Sequence, residues 1–429
     1  MKHQIQKLPK SQTKIAVELH ADEFEKYIQQ TIEDARRNTS VRGFRPGKAP
    51  TDVIEKRLDK NHVLSDAGER ALMESLNKIV REQNLETIGE PAVEIKKIAR
   101  GSEFIFEAVI TLLPQTTLGS WKNVKIVKKP VNVSDEEVEK VIESLRKERA
   151  AEAEVDRAGQ KGDRVEVEYE MFVGGLRTEE GLQKGEKITL GENLFVPEFE
   201  QNVLGAKKGE KKIFTVAYKA DHPQKRFAGK EVEFRVTVNG VYEVKLPAAD
   251  DGWAKTVGQF ESLEALKKVI RENLEGEKKT REDERVEGEL IEAVVKETIF
   301  TEIPDLLVSS ELEKMIDELK QSVAQQGMDF AKYMEMIKKT DEDLKKEFTP
   351  KAEKRVKSSL LLREIVKSQN MQTTDKEIQD ELAIVKAEHQ GHDRKELEYF
   401  DGIEFRRRME SILLSRKAIQ YMKDQVLQK

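Results

Sequence analysis

Val41-Arg42-Gly43-Phe44-Arg45-Pro46-Gly47-Lys48-Ala49-Pro50 sets two glycines, two prolines, three basic residues and one aromatic between two helical patterns. Glycine releases φ and proline fixes it, so alternating them specifies one bent loop instead of a slack one. Phe44 stands at the tip with no apolar neighbour to build a core with. Two readings stay open from these residues alone. The loop is a docking device that presents Arg42, Arg45 and Lys48 around an exposed ring, or it is a helix-to-helix turn whose Phe44 folds back onto its own domain.

The charge around the loop is uneven. From Arg36 to Lys60, eight basic residues (Arg36, Arg37, Arg42, Arg45, Lys48, Lys56, Arg57, Lys60) meet three acidic ones (Asp52, Glu55, Asp59), in a chain of formal net charge −6. Such a patch attracts phosphate backbones or acidic protein surfaces, with strong salt dependence. A charge run is more often a solvated face, but here it coincides with the constrained loop, which favours an interface.

The 429 residues suggest about two to four domains. Apolar and charged residues each make up 37%, and mean hydropathy is −0.66. That apolar share is low for one globule and suits helix-rich pieces with much exposed surface. The acidic balance argues against a general nucleic-acid binder. With no cysteine, disulfides, thiolate nucleophiles and zinc–thiolate clusters are excluded together, which fits a reducing compartment. Met1 to Pro9 has no apolar core of a secretory signal, and no apolar run spans a bilayer, so a cytoplasmic protein with no membrane partner is expected.

Residues 1–113 read as an α+β domain. Ile15, Val17 and Leu19 alternate as a half-buried strand. Phe24, Ile28, Ile32 and Ala35 then follow helical spacing to about Asn38. After the loop, Pro50 opens a short helix with Val53, Ile54 and Leu58, and Leu64 to Val80 form another. Val93–Ala99 and Phe104–Leu112 are strands joined by a Gly101-Ser102 turn. Residues 114–154 connect, with Ser134 and Glu137 as a capping box before a spacer helix carrying Val138, Val141, Ile142 and Leu145. Residues 155–247 read as a small antiparallel sheet with one short helix: strands at Val165–Tyr169, Lys187–Leu190, Lys211–Ala217 and Glu231–Tyr242, and a helix ending at Gly205. Residues 248–429 are almost wholly helical. The charged run Gly276–Glu289 predicts a helix crossing solvent or tipping an arm. Gly327 and Pro350 are expected to punctuate helices, and Met328, Met334 and Met336 are either gap-filling core or adaptable binding surface.

No Cys/His ligand set, phosphate-binding G-x-x-x-x-G-K-[ST], G-x-S-x-G elbow or H-E-x-x-H occurs. Metal, cofactor, ATP and nucleophilic catalysis have no support, so any catalysis works through surroundings and not through a reactive side chain.

The loop Gly43-Phe44-Arg45-Pro46-Gly47-Lys48-Ala49-Pro50 resembles the ribosome-docking signature of bacterial trigger factor. The sheet domain is similar to an FKBP-type prolyl isomerase, and the helical remainder resembles that family's chaperone body. The resemblance covers essentially the whole chain. It implies an α+β multidomain protein: a ribosome-binding head, an FKBP-like antiparallel sheet domain, and a mainly α-helical C-terminal chaperone body with arms, the connector packing with that body as a cradle. It implies an ATP-independent chaperone that meets nascent or unfolded polypeptides at the ribosomal exit tunnel, touching large-subunit protein and rRNA. Roles in protein transport and cell division and a homodimer off the ribosome belong to the same expectation. The implied docking residues are Arg42, Gly43, Phe44, Arg45, Pro46, Gly47 and Lys48, with Pro46 standing where some members carry a basic residue.

The resemblance also implies an apolar cleft favouring the twisted amide, which must cross a barrier of about 18–20 kcal/mol. Tyr169, Phe195, Val196, Phe199 and Phe234 match pocket-wall positions, and Glu179 stands for the acidic residue. Thr178, Glu198 and His222 depart from the pattern, each towards a more polar cleft. The implied prolyl isomerase is therefore expected to have weak or lost activity. The bland reading makes the aromatics simply the core of a small sheet. Competing with the chaperone are a free FKBP-type isomerase with helical extensions and an exported parvulin-like chaperone, the latter disfavoured by the missing signal segment.

Overall fold

The structure is a computed structural model that describes residues 1–38, 44, 50–192, 197–220, 227–388, 399–400 and 402–427. The chain forms two compact units in nested order: residues 1–128 with 283–429, and residues 129–282 between them.

The first unit opens with the head. Strands β1 (Lys2–Lys7), β2 (Gln12–Leu19), β3 (Thr87–Lys97) and β4 (Phe104–Leu112) form an antiparallel sheet in the order β1-β2-β4-β3. Between β2 and β3 run α1 (Ala21–Asn38), α2 (Thr51–Glu55) and α3 (Lys60–Glu82). Alternation places Ile15, Val17 and Leu19 on one face with Phe104, Phe106, Ala108 and Ile110. Phe24, Ile28 and Ile32 of α1 and Ala67, Ala71, Leu76 and Ile79 of α3 cover that face, closing one core. Across the other face, Lys14 pairs with Glu107 at 2.9 Å and Lys96 with Glu94 at 2.5 Å.

β1 was not expected: Lys2-His3-Gln4-Ile5-Gln6-Lys7 pairs through its backbone and leaves almost every side chain outside. Its turn holds Lys10 and Ser11 at φ +57° and +55°. Without glycine, each costs roughly 1–2 kcal/mol. β3 starts six residues before the expected Val93: its first part is irregular, with pairing shifting between Ile88 and Ala92 on an edge strand.

The rest of this unit is helical. β5 (Thr116–Thr117) pairs with β11 (Ile299–Phe300), and a 3₁₀ turn at Trp121–Asn123 buries Trp121. Trp121 shares a core with Leu290 and Val294 of α7 (Leu263–Glu297), Leu361 and Ile365 of α10 (Asp341–Ser368), and Ala418, Met422 and Val426 of α12 (Ile403–Leu427). Between α7 and α10 lie α8 (Asp305–Gln325) and α9 (Phe330–Ile337). α11 (Asp375–Glu388) and the start of α12 share a smaller cluster of Ile378, Phe400, Phe405 and Met409. Pro350 does not end a helix as expected but lies inside α10. The missing N–H is tolerated because Leu344, Ala352, Val356 and Leu360 are buried on both sides of it.

The second unit has two parts. Val138 and Ile142 of α4 (Asp135–Glu148) pack with Trp253 and Ala254 of α6 (Asp251–Val257) and with Leu266 and Ile270 of α7. The sheet domain contains β6 (Ala151–Glu154), β7 (Arg164–Val173), β8 (Leu176–Thr189), α5 (Pro197–Val203), β9 (Lys211–Ala217) and β10 (Glu231–Lys245). Its order is β6-β10-β7-β8, with β9 also on β10. β8 begins eleven residues before the expected Lys187, as its outward run Leu176–Glu186 lacks apolar alternation.

The charged run of α7 is not a bare solvated span. Within the second unit Glu282, only 7% exposed, accepts the Lys129 N–H at 2.6 Å, and Lys278 donates to the Asn132 carbonyl at 2.8 Å. Within the first unit Arg285 donates to the Val127 carbonyl at 2.8 Å and Lys128 pairs with Asp283 at 2.6 Å. The charges serve backbone groups of the extended connector, which has no ladder of its own.

Candidate functional site

α1 ends and α2 begins on either side of the basic loop, and Phe44 at its centre is 42% exposed. The other phenylalanines of the head, Phe24, Phe104 and Phe106, are all buried in the core. The ring therefore does not fold into the head's core. Arg42, Gly43, Arg45, Pro46, Gly47 and Lys48 lie outside the described residues. On the flank, Arg36 donates two bonds of 2.6 Å to Glu33, and Arg37 adds a third at 3.3 Å. The Arg36 bonds come first among the causes that pull the Glu33 carboxyl down to about 2. Glu55 is engaged by Arg100, which also holds Glu25 at 2.8 Å. Lys56, Arg57 and Lys60 are exposed, so positive charge persists beyond the loop on the α2 side.

In the sheet domain, β7 carries Tyr169, α5 carries Phe199 and β10 carries Phe234. Their rings meet at 5.3–5.9 Å, mostly edge to face. Phe214 of β9 completes the group, 5.3 Å from Phe199 and 5.7 Å from Phe234. Burial is the main cause that pushes the Tyr169 hydroxyl up to about 12, with Glu186 and Tyr218 adding to it. At neutral pH it is a protonated donor in an apolar wall. The Tyr218 ring lies tilted against Phe227 at 5.4 Å, and its hydroxyl pKa is raised by burial and by the Glu198 carboxylate. Glu200, buried on α5, accepts the Gly191 N–H at 2.9 Å and so ties the end of the β8 turn to the helix that carries Phe199.

Of the seven expected cleft residues, Tyr169, Phe199 and Phe234 are brought together. Glu179 lies in a wide bulge of β8: pairing jumps from Phe172↔Arg177 to Glu170↔Leu182, so Met171 alone faces Thr178–Gly181. A side chain at Gly181 would stand 2.5 Å from the Thr178 hydroxyl and 2.9 Å from the Met171 carbonyl, which is why glycine closes the bulge. Phe195, Val196 and His222 lie outside the described residues. Phe214 and Tyr218 were not anticipated. Phe214 was legible in the alternation Lys212-Phe214-Val216, whereas only the pairing of β9 with β10 brings Tyr218 towards Tyr169.

A third feature lies in the helical body. The stripe Leu307, Leu312, Met315, Ile316 and Leu319 on α8 is only half-buried, and Val323 alone on that helix is buried. Two grooves of mixed lining follow it: one of about 620 Å³ where Phe300, Ile303, Val308 and Leu312 stand beside Glu302, Asp305, Glu353 and Lys357, and one of about 710 Å³ where Ile316, Phe330, Met334 and Leu344 stand beside Asp317, Lys320, Glu335 and Lys345. The methionines differ in burial: Met334 is buried, while Met336 is 62% exposed. Among the described residues no cluster of potential metal ligands occurs, and no helix is long and apolar enough to cross a membrane.

A basic loop with an exposed ring, an aromatic-walled sheet domain of the prolyl-isomerase kind and a helical body with open, partly apolar grooves define the class: a protein that handles other polypeptides. Comparison with known proteins agrees. Residues 1–145 match the family model described as bacterial trigger factor protein, residues 155–246 that of FKBP-type peptidyl-prolyl cis-trans isomerase, and residues 262–424 that of the trigger factor C-terminus. The chain is 33% identical over 385 residues to a trigger factor of Caldicellulosiruptor saccharolyticus, covering 89% of this chain and 87% of the relative. It is 30% identical over 421 residues to that of Acetivibrio thermocellus, covering 97% of both. A solved structure described as "Promiscuous Substrate Recognition in Folding and Assembly Activities of the Trigger Factor Chaperone" shares the fold, with TM-score 0.50 and 18% identity over 98% of this chain and 99% of that one. The chain belongs to the bacterial trigger factor family. It is a chaperone with an FKBP-type isomerase domain, and its family implies the ribosome and nascent chains as partners. The reading as a free isomerase with extensions is not favoured.

Proposed function

We propose that this chaperone acts in the cytoplasm and docks on the large ribosomal subunit near the exit tunnel through Arg42, Gly43, Phe44, Arg45, Pro46, Gly47 and Lys48, meeting both protein and rRNA. The observation that carries this reading is Phe44, the one phenylalanine of the head that stays out of its core, set in a basic flank. The summed positive charge steers the approach and Phe44 supplies the fit. Residues 1–113 are the docking head, 114–154 the connector, 155–247 the isomerase domain and 248–429 the chaperone body. Nascent segments lie against the half-buried apolar stripe of α8 and its partly apolar grooves, and the same surfaces pair two copies off the ribosome.

The isomerase cleft uses Tyr169, Glu179, Phe195, Val196, Phe199, His222 and Phe234. It works by holding an X-Pro segment against an apolar wall that favours the twisted amide. Glu198 near Tyr218 adds charge to that wall, so slow catalysis is expected. The test is ribosome pelleting of the wild type and of Phe44→Ala/Arg45→Ala/Pro46→Ala, with proline-limited refolding measured on both. Loss of pelleting with unchanged, slow isomerisation supports the reading. Unchanged pelleting overturns the docking assignment.

A further inference from the structure

The join between the head and the helical body, both within the first unit, is unusually economical. Leu112 and Leu113 donate their N–H groups to the Ser11 and Glu86 carbonyls of the head, both at 2.8 Å. Gln115 donates to the Thr301 hydroxyl at 2.9 Å and accepts the Thr301 N–H at 3.0 Å, after which Thr116 and Thr117 pair with Phe300 and Ile299 of the body. Between these two tethered stretches stands Pro114 alone, buried, with φ fixed by its ring and no N–H to donate. A cleft of about 620 Å³ opens beside it, walled by both parts and rich in hydroxyls from Ser11, Thr13, Thr116, Thr117 and Thr301.

Two ionic contacts bridge the same join. At the β1–β2 turn, the Lys10 ammonium pairs with Asp305, the Lys10 N–H donates to the Glu302 carboxylate, and the Ser11 hydroxyl donates to the Glu302 carbonyl at 2.6 Å. On the other side Glu86 meets Arg363 at 3.1 Å and Lys367 at 3.5 Å. Ser11 and Glu86 thus hold the linker with their carbonyls and the body with their side chains. The buried cores of head and body share no residue, and Leu306 of the body comes so close to Gly89 of the head that a Cβ there would stand 2.6 Å from it. Exposed ion pairs of this kind are individually weak and screened by salt. The turn that carries one of them keeps two non-glycine residues in the left-handed region, a conformation sustained by contacts around it.

We propose that Pro114 is a single-residue hinge between head and body, held shut by the Lys10–Glu302/Asp305 and Glu86–Arg363/Lys367 latches, so that the head opens as ionic strength rises or as a charged surface competes for either latch. This goes beyond docking and holds whether or not the loop meets a ribosome.

The absence of cysteine makes the test clean. Spin labels on Glu69→Cys in the head and Gln420→Cys in the body report their distance distribution in the full chain at about 20 mM and about 500 mM salt. A narrow distribution at low salt that at least doubles in width at high salt is expected. Lys10→Asp should give the broad distribution already at low salt, and adding Asp305→Lys should restore the narrow one. The inference is overturned if salt leaves the width unchanged, or if the swapped pair stays as broad as the single variant.

Discussion

Tyr169 is the residue whose environment is most informative. Its ring packs against Phe199 and Phe234, and burial pushes its hydroxyl from the ordinary 10.0 to about 12. The folded chain therefore holds this proton more tightly than the unfolded chain. The resulting stability is fully present below about pH 10 and is lost as the pH rises through about 12. Two pH units correspond to on the order of 2–3 kcal/mol. Tyr169→Phe keeps the ring and removes the proton, so the sheet domain of the variant should lose less stability than the wild type across that window. Thermal unfolding of both at several pH values checks this, and parallel losses would exclude the assignment. Phe44 makes the opposite point: it is the ring the core leaves out, and its role rests on that exposure.

At the scale of elements, α4 shows how local chemistry fixes a boundary. The Ser134 hydroxyl accepts the Glu137 N–H at 3.3 Å, and Glu137 accepts the Ser134 N–H at 2.9 Å while pairing with Lys278 at 2.7 Å. The Lys278 bond, followed by the Ser134 N–H, draws the Glu137 carboxyl from 4.5 to about 2. This contribution is present above about pH 4.5 and is lost as the pH falls towards about 2. Ser134→Ala should cost about 1 kcal/mol, read as roughly fivefold faster amide exchange in the first turn of α4. Unchanged exchange there would mean that packing of Val138 and Ile142 alone sets the helix start. This cap was legible in the sequence because a capping box is spelled by two residues three apart. So were β2, β4, β9, α1 and α3, whose apolar positions keep strict period. β1 and β6 were not legible, since edge strands held by backbone pairing need no apolar pattern. The start of β3 was not legible either, since Gly89 and Pro91 interrupt its alternation where the pairing shifts between Ile88 and Ala92. Ile378, Leu382 and Val385 of α11 kept helical spacing and went unread. In the candidate cleft, the aromatics on β7, α5 and β10 could be named from the sequence. The approach of Tyr218 could not, because it depends on which strands are neighbours.

Among the described residues the buried side chains form several separate cores. The head, the sheet domain, the α4–α6–α7 cluster, the body and the α11–α12 cluster each bury their own set, and no buried residue belongs to two. This is the structural counterpart of an apolar share of only 37% in 429 residues. Separate cores can unfold separately, which suits a protein that meets polypeptides of many shapes. Phe234, fully buried in the sheet domain, and Phe106, fully buried in the head, offer matched probes. Truncating either to alanine should cost about 3–5 kcal/mol in its own domain. Because about 1 kcal/mol moves the midpoint of a 60–100-residue domain by about 4–8 °C, the affected component should separate clearly in a calorimetric scan. Phe234→Ala is expected to shift the sheet-domain component and leave the head component in place, and Phe106→Ala to do the reverse. If each variant instead moves the entire profile together, the cores are energetically one. The independence of the head and the isomerase domain would then have to be abandoned.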